Sequence, residues 1–213
     1  MSFDLVTVIT LILPVLLFSL VVHEMAHAIA ADRLGDPTAR MLGRISFNPL
    51  VHLDPVMSVV IPGLLIMAGS PVIFGGAKPV PVNYRMLKDP RKAMALIALA
   101  GPLSNVLIAA VCYFILKILI VLNITAIGVA ADFLMYGLQV NVALAVFNMM
   151  PVPPLDGSRV LAAVMPGDSA QFLDLLERYG LFLVFLLVYT GVPGMAIQFV
   201  WNLIMPFLFS GIG

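Results

Sequence analysis

The stretch from residue 5 to residue 31 is apolar apart from one small cluster of ionisable side chains. Within it, only His23, Glu24 and His27 carry an ionisable group. A helix needs about 20 predominantly apolar residues to cross a bilayer, so this stretch predicts a membrane span. Ionisable groups are costly inside a membrane and mark functional sites there. The stretch therefore constrains both the fold class and the chemistry of the chain.

The cluster has the HExxH spacing of zinc enzymes, with His23 and His27 four residues apart. At this spacing both imidazoles project from one face of a helix and reach one metal ion. Glu24 lies beside them, where a carboxylate takes a proton from zinc-activated water. Because the pattern also occurs by chance, the alternative is a pair of structural histidines. The membrane setting favours catalysis.

The composition of the chain is that of a polytopic membrane protein. Of its 213 residues, 62% are hydrophobic and 10% are charged, whereas soluble domains contain about 25% charged residues. The length predicts a single integral-membrane domain over residues 1–213. We expect the first segment to be retained, because it lacks the basic start of a signal peptide. A net charge of zero and the absence of basic runs give no reason to expect nucleic acid as a partner.

Five hydrophobic blocks predict an all-α bundle of about five to six transmembrane helices. The blocks are residues 3–31, 51–74, 93–122, about 132–150 and 179–209. A turn signal at residues 190–194 divides the last block into helices over 179–189 and 194–209, the first extended back to residue 172. Residues 38–47 and 77–82 are compatible with short extended strands near the site, the latter confined to a sheet edge by its two prolines.

A third zinc ligand determines the predicted topology. Catalytic zinc sites normally have three protein ligands and one open position, and Asp156, after the fourth block, is the candidate. It must lie at the membrane depth of the two histidines. If residues 51–74 crossed the membrane, three crossings would place Asp156 on the opposite side. We therefore predict that residues 51–74 form a re-entrant hairpin, bent at Pro62-Gly63.

The distribution of positive charge predicts the orientation of the bundle. Residues 32–48 and 75–92 contain several Lys and Arg side chains, whereas residues 123–131 contain none. Short cytoplasmic loops carry an excess of Lys and Arg. We therefore expect the N-terminus outside and the zinc site towards the cytoplasmic side of the cell membrane.

Three motifs, in this order along the chain, resemble the site-2 protease family of intramembrane zinc metalloproteases. They are the HExxH, Ala100-Gly101-Pro102-Leu103-Ser104-Asn105, and residues 148–157. Residues 48–55 and 76–83 are similar to the small members of that family, which lack PDZ and CBS domains. The resemblance spans about residues 22–160. It implies regulated intramembrane proteolysis, the hydrolysis of peptide bonds in or near transmembrane segments of membrane-protein substrates.

The resemblance implies a role for each motif residue. His23, His27 and Asp156 are expected to bind one Zn²⁺ ion. Glu24 is expected to act as the general base, and Asn148 to steady the substrate or the oxyanion. Asp156 has an alternative role as a helix N-cap. Asn148 has one as a side chain that satisfies backbone groups freed by a nearby proline.

Three further polar residues have open roles. Asn105 either supports the substrate or forms a hydrogen bond between helices, a common use of Asn in membranes. His52 and Asp54 either bind a second metal or gate the site, or they cap the hairpin. Capping is the favoured interpretation, because Asp is a frequent N-cap.

Two rival functions compete with proteolysis, namely a membrane zinc transporter and a non-proteolytic zinc-binding scaffold. A transporter is expected to have several ligand-rich helices and often internal repeats, whereas this chain has three His and no visible repeat. A scaffold with a structural zinc has no need of Glu24, and such sites usually have four protein ligands. Both comparisons favour the protease.

Overall fold

The protein is a helical bundle, seen in a computed structural model that describes residues 5–67, 75–122, 124, 128–166 and 176–210. A π-helical stretch, Val8–Ile12, leads into α1, and a second one, Pro55–Val60, leads into α3. The α-helices of four or more residues in the described ranges are α1 (Leu13–Arg33), α2 (Thr38–Met41), α3 (Ile61–Met67), α4 (Pro90–Val121), α5 (Gly128–Asn148), α6 (Asp156–Val164), α7 (Gly180–Tyr189) and α8 (Val192–Phe209). The prediction of an all-α fold is confirmed, and so is the division of the last block into two helices. Of the predicted backward extension of α7, residues 172–175 fall outside the described residues. Residues 176–177 are helical, but a turn at residues 178–179 separates them from α7, so the helix is not continuous there.

Four helices are long and apolar enough to cross a membrane: α1 with its π-helical lead, α4, α5 and α8. Their outer faces are strongly apolar, with Leu107, Phe114 and Phe199 each more than half exposed. Soluble proteins rarely expose apolar surface on this scale, whereas lipid-facing helices do. This confirms a polytopic membrane protein. The described parts of α3 and α7 are shorter than a span, so the count of five to six stays a prediction.

The long helix α4 lies at the centre of the bundle and packs against α1, α5 and α6. Small residues bring it close to α5: a Cβ added at Gly137 would lie 2.8 Å from the Sγ of Cys112. Close approach through small side chains is the usual way for membrane helices to pack. At its far end, Lys117 donates hydrogen bonds to the carbonyls of Phe207 (2.9 Å) and Leu208 (3.1 Å) at the end of α8. A cation at this position also complements the helix dipole.

Residues near the two ends of the second hydrophobic block lie next to each other, as a re-entrant hairpin requires. The backbone N–H of Gly76 donates to the carbonyl of Met57 at 3.1 Å, and Leu53 pairs with Ala77 in an isolated bridge. The predicted bend at Pro62-Gly63 is wrong, because the backbone is helical from Pro55 to Met67. Pro62 stands where the π-helix changes to an α-helix, a point where its missing N–H costs little. The described part of the block therefore continues through Pro62-Gly63 as a helix up to Met67.

The expected strands do not form a sheet in the described ranges. Residues 38–41 are helical, and residues 77–82 pair only at Ala77. The buried Arg44 explains part of this, because its guanidinium donates to the carbonyls of Val51 (2.5 Å), Lys78 and Pro79 (3.0 Å). Prolines remove N–H donors from the same segment. Arg44 thus holds together the chain entering the hairpin and the chain leaving it.

Asp36 is a buried carboxylate that ties the end of α1 to the segment before α4. Its Oδ1 accepts from the N–H (3.0 Å) and the hydroxyl (2.5 Å) of Thr38, and its Oδ2 accepts from the N–H of Asn83 (2.6 Å). Burial alone would raise the pKa of Asp36, but these hydrogen bonds outweigh it and lower the pKa below its ordinary value. The ionised form therefore stabilises the fold.

Asp36→Asn is expected to lower the thermal stability at pH 7 by an amount that disappears in acid. Because the folded pKa is the lower one, the stabilisation is present above the unfolded pKa of about 3.9 and is lost as the pH falls through the folded value. Hydrogen bonds to a charged group contribute about 1.5–3 kcal/mol. Melting of both proteins in detergent between pH 7 and pH 3 measures the difference. A difference that stays constant over this range would contradict the assignment. Asp32→Asn, in an ion pair with the exposed Arg40, is the control and should cost at most about 1 kcal/mol.

Candidate active site

Three side chains from distant parts of the chain meet in the bundle. α1 presents His23 and His27 on its buried face, and Asp156 is the first residue of α6. The Nε2 atoms of the two histidines are 3.0 Å apart, and the Oδ2 atom of Asp156 lies 3.3 Å from His23 Nε2 and 3.4 Å from His27 Nε2. The structure therefore brings together the three residues predicted as metal ligands.

The second nitrogen of each imidazole has its own partner. His23 Nδ1 lies 2.6 Å from Oδ1 of Asn105, and His27 Nδ1 lies 2.7 Å from the carbonyl oxygen of Ile97. Both partners accept hydrogen bonds, so each neutral imidazole carries its proton on Nδ1 and a lone pair on Nε2. Asp156 Oδ2 is buried and has no hydrogen-bond donor among the described residues. Three lone pairs thus face one another at close range, an arrangement that a cation would stabilise.

The chemistry and spacing of these atoms fit zinc. Two imidazole nitrogens and one carboxylate oxygen form a typical catalytic zinc site. Tetrahedral ligands with zinc bonds of about 2.0–2.1 Å lie about 3.3 Å from one another, close to the 3.0–3.4 Å seen here. Acceptors on the second imidazole nitrogens, such as Asn105 and Ile97, are what zinc-binding histidines usually have.

Two glycines make room for the ligands. A Cβ at Gly101 of α4 would collide with His27 Nε2 and lie 2.6 Å from Cε1 of His23. A Cβ at Gly157 would collide with the carbonyl of Met149 and lie 2.6 Å from that of Met150. Gly101 therefore lets α4 approach the two imidazoles, and Gly157 lets the start of α6 fold back under α5 so that Asp156 reaches them.

A cavity of about 540 Å³ opens onto these residues. Glu24 and Asn148 line it together with the three ligands, and Glu24 is 9% exposed. The side-chain amide of Asn148 donates to the carbonyl of Leu144 at 3.0 Å, which holds it along the cavity wall. Water entering this cavity would meet Glu24 and the ligand atoms at the same place.

The rest of the cavity wall combines the hairpin with a charged rim. Residues 75–77, where the chain leaves the hairpin, line one side. On the rim, Arg159 forms an ion pair with Glu177 and donates to the Tyr84 hydroxyl at 2.8 Å. This rim joins α6 to the segments before α4 and α7.

His52 and Asp54 lie outside the group of metal-ligand atoms and the described cavity lining. Nε2 of the buried His52 donates to the carbonyl of Ser46 at 2.8 Å. Asp54 Oδ1 accepts from the N–H groups of Val56 and Met57, both at 2.9 Å. Asp54 thus caps the helical part of the hairpin, in agreement with the favoured interpretation.

Three residues with a clear structural role at the site were missed in the sequence: Gly101, Asn141 and Ser19. Asn105 donates to Asn141 at 2.9 Å, and Asn141 donates to Ser19 at 2.9 Å. Polar residues inside apolar blocks were the available signal for Asn141 and Ser19. For Gly101 the signal was its place in the motif of residues 100–105.

Comparisons with known proteins agree with this geometry. The sequence model of Peptidase family M50 matches residues 11–126 and 117–187. YwhC of Bacillus subtilis, named as a putative zinc metalloprotease, is 38% identical over 178 residues, which is 82% of this chain and 77% of that protein. Rip2 of Mycolicibacterium smegmatis, which has the same description, is 27% identical over 82% of this chain and 64% of its own length. No solved structure gives a significant match.

Proposed function

Because this chain belongs to peptidase family M50, we propose that it is an intramembrane zinc metalloprotease. Its substrates are membrane proteins, cut at peptide bonds in or near their transmembrane segments. One observation carries this proposal: His23, His27 and Asp156 converge beside Glu24 in a cavity among apolar helices long enough to cross a membrane. The descriptions of the relatives as zinc metalloproteases support the same chemistry.

His23, His27 and Asp156 would hold one zinc ion in this site. When bound, zinc supplies a Lewis acid that lowers the pKa of water to about 7 and polarises the scissile carbonyl. Among the described residues only these three bring ligand atoms together here, which would leave a fourth position for water, as catalytic sites require. A structural zinc usually has four protein ligands, so the donor set favours catalysis.

Glu24 moves the proton in this proposal. Its carboxylate accepts a proton from the attacking water and returns it to the nitrogen of the leaving amine. Asn148 has one amide N–H bonded to Leu144, and its second N–H is available to the oxygen that becomes negative in the transition state. Loss of such a donor typically slows catalysis about 10²–10³-fold.

The substrate must be extended before it can be cut, because a helix hides its peptide bonds in its own hydrogen bonds. Residues 77–82 run along the cavity with a single bridge pair at Ala77. Arg44 occupies the carbonyls of Lys78 and Pro79, and the N–H of Lys78 donates to His52. The backbone groups of Val80 and Val82 are therefore the ones suited to hold an extended substrate by β-augmentation. Residues 44–47 are a second candidate for this role. Disruptive substitutions in both segments that left cleavage intact would count against it.

The positive charges of residues 32–48 and 75–92 support a site facing the cytoplasm in the cell membrane. Both segments lie at the same end of the bundle as the site, since Asp36 binds Asn83 and Gly76 lines the cavity. A reporter fused within residues 75–92 should therefore read as cytoplasmic. An external reading would reverse the proposed orientation.

Metal removal tests the proposal directly. The protein is reconstituted in liposomes with a tagged single-span membrane protein, and cleavage is followed by the mass of the products. A chelator is expected to stop cleavage, and added zinc to restore it, because the proposed mechanism needs zinc held by His23, His27 and Asp156. Transport of zinc into the liposomes without any cleavage would support the zinc transporter instead.

A further inference from the structure

The structure points to a buried chain of side-chain amides that prepares His23 for the metal. We propose that Asn141 and Ser19 are positioning residues, which act through Asn105 to fix the tautomer of His23 with Nε2 free of a proton. This inference rests on the proposed zinc site. It assigns a role at that site to two residues that lie beyond the ligands and their direct partners.

This chain of hydrogen-bonded side chains, the amide chain, joins three membrane-spanning helices. Asn105 of α4 accepts from His23 Nδ1 at 2.6 Å and donates through Nδ2 to Oδ1 of Asn141 on α5 at 2.9 Å. Asn141 in turn reaches back to Ser19 on α1 at 2.9 Å. Ser19, Asn105 and Asn141 are all 0% exposed. Because these side chains are buried away from water, each polar group depends on these particular partners for its hydrogen bonds.

Backbone carbonyls at the far end set the direction of every hydrogen bond. Nδ2 of Asn141 donates to the carbonyl of Gly137 at 2.8 Å, and the Ser19 hydroxyl donates to the carbonyl of Val15 at 2.8 Å. A carbonyl only accepts, so Nδ2 of Asn141 must face Gly137 and its Oδ1 must face Asn105. The Ser19 hydroxyl has its proton on Val15 and therefore accepts from Asn141.

This direction decides which atom of Asn105 faces His23. With Nδ2 directed at Asn141, the Oδ1 of Asn105 meets His23 Nδ1, which must then carry the proton. A reversed Asn105 amide would donate to Nδ1 and leave the proton on Nε2, where it would block zinc. The orientation of Asn105 is thus set by Asn141.

A comparison with His27 shows why the amide chain is needed for His23 alone. His27 Nδ1 meets the backbone carbonyl of Ile97 at 2.7 Å, and a carbonyl can only accept. An Asn side chain offers either a donor or an acceptor, depending on how its amide is turned. His23 therefore needs further residues to remove an ambiguity that His27 does not have.

Zinc affinity tests the inference, measured on the purified full chain in detergent by competition with a chelating dye. Asn141→Leu, of similar size but without the amide, is expected to weaken zinc binding about 10–100-fold, the usual cost of losing an outer partner. Asn105→Leu should cost at least as much. The double variant should be no weaker than Asn105→Leu alone, because Asn141 acts only through Asn105.

A rescue experiment distinguishes a positioning role of Asn141 from a general effect on helix packing. In Asn105→Asp the carboxylate can only accept, so it fixes the His23 tautomer without help. Asn141→Leu should then no longer weaken zinc binding, and the pair should bind zinc close to the wild-type affinity. Val142→Ala, at the next and also buried position of α5, is the control: it should lower the melting temperature and leave zinc affinity unchanged. If Asn141→Leu does not fold, Ser19→Ala serves in its place, with a smaller loss of affinity in the same direction.

The possible results decide between the claims. Wild-type zinc affinity in Asn141→Leu, additive losses in the double variant, or an equal loss in Val142→Ala would each overturn the positioning role. A wild-type protein that binds no zinc would overturn the metal site and this role with it. Normal zinc binding with the expected variant pattern, but no proteolysis, would overturn the proposed function and leave the positioning role intact.

Discussion

Glu24→Gln is expected to abolish proteolysis while the protein still binds zinc. The amide has the shape of the carboxylate but cannot accept the proton of the attacking water, and general acid–base groups contribute about 10²–10⁴-fold to rates. Zinc remains because the converging ligand atoms belong to His23, His27 and Asp156. Cleavage of a membrane-embedded substrate and the zinc content of the purified protein measure the two effects.

Glu177→Gln is the matched control for Glu24→Gln. It makes the same chemical change at the rim of the same cavity, where Glu177 pairs with Arg159. We expect this variant to keep most of the activity, because an exposed ion pair contributes about 0–1 kcal/mol. Substantial cleavage by Glu24→Gln, or loss of its zinc, would show that Glu24 is not the general base. Uncut substrate trapped on Glu24→Gln would also identify the substrate.

Gly101→Ala is expected to weaken zinc binding strongly and, with it, to lower activity. The added methyl group would lie 2.5 Å from Cε1 of His27 and 2.6 Å from Cε1 of His23. Such contacts can be relieved only by moving α4 away from α1 or by turning the imidazoles out of the site. Overpacking of this kind costs about 1–3 kcal/mol in a core. We expect zinc affinity to fall at least about 100-fold, because both ligands are displaced together.

Gly194→Ala provides the control for this substitution. Gly194 lies in α8, and a Cβ added there has nothing within 4 Å. Alanine also has the higher helix propensity, so this variant should be as stable as the wild type or slightly more stable. Equal zinc affinity in Gly101→Ala and Gly194→Ala would mean that α4 can shift to relieve the contact. The close approach of α4 to the imidazoles would then have no role in metal binding.

The convergence of His23, His27 and Asp156 could be predicted from the sequence, because a short-range pattern and the need for a third ligand apply to these residues. The helical spacing of His23 and His27 places their side chains on one face. Asp156 followed from the need for a third ligand, and it then had to lie at the membrane depth of the two histidines. The re-entrant nature of residues 51–74 came from the same requirement, and the contact between Met57 and Gly76 agrees with it.

The details that were predicted wrongly depend on local helix geometry or on contacts between residues distant in sequence. Pro62-Gly63 looked like a bend, but a change from π-helix to α-helix accommodates it. The expected strand pairing is replaced by hydrogen bonds from Arg44. Asn141 and Gly101 were missed because a sequence shows that a polar or a small residue is present, and not what it will face.

The amide chain also determines which parts of the molecule can move. Because Ser19, Asn105 and Asn141 join α1, α4 and α5 through buried hydrogen bonds, separating these helices would break the support of a ligand. Within a bilayer no water replaces the broken bonds. For the substrate class proposed above, displacement of the hairpin or of α7 would leave these bonds intact, because both line the cavity without joining the amide chain. The residues proposed to prepare His23 would thereby also keep α1, α4 and α5 together while a substrate enters.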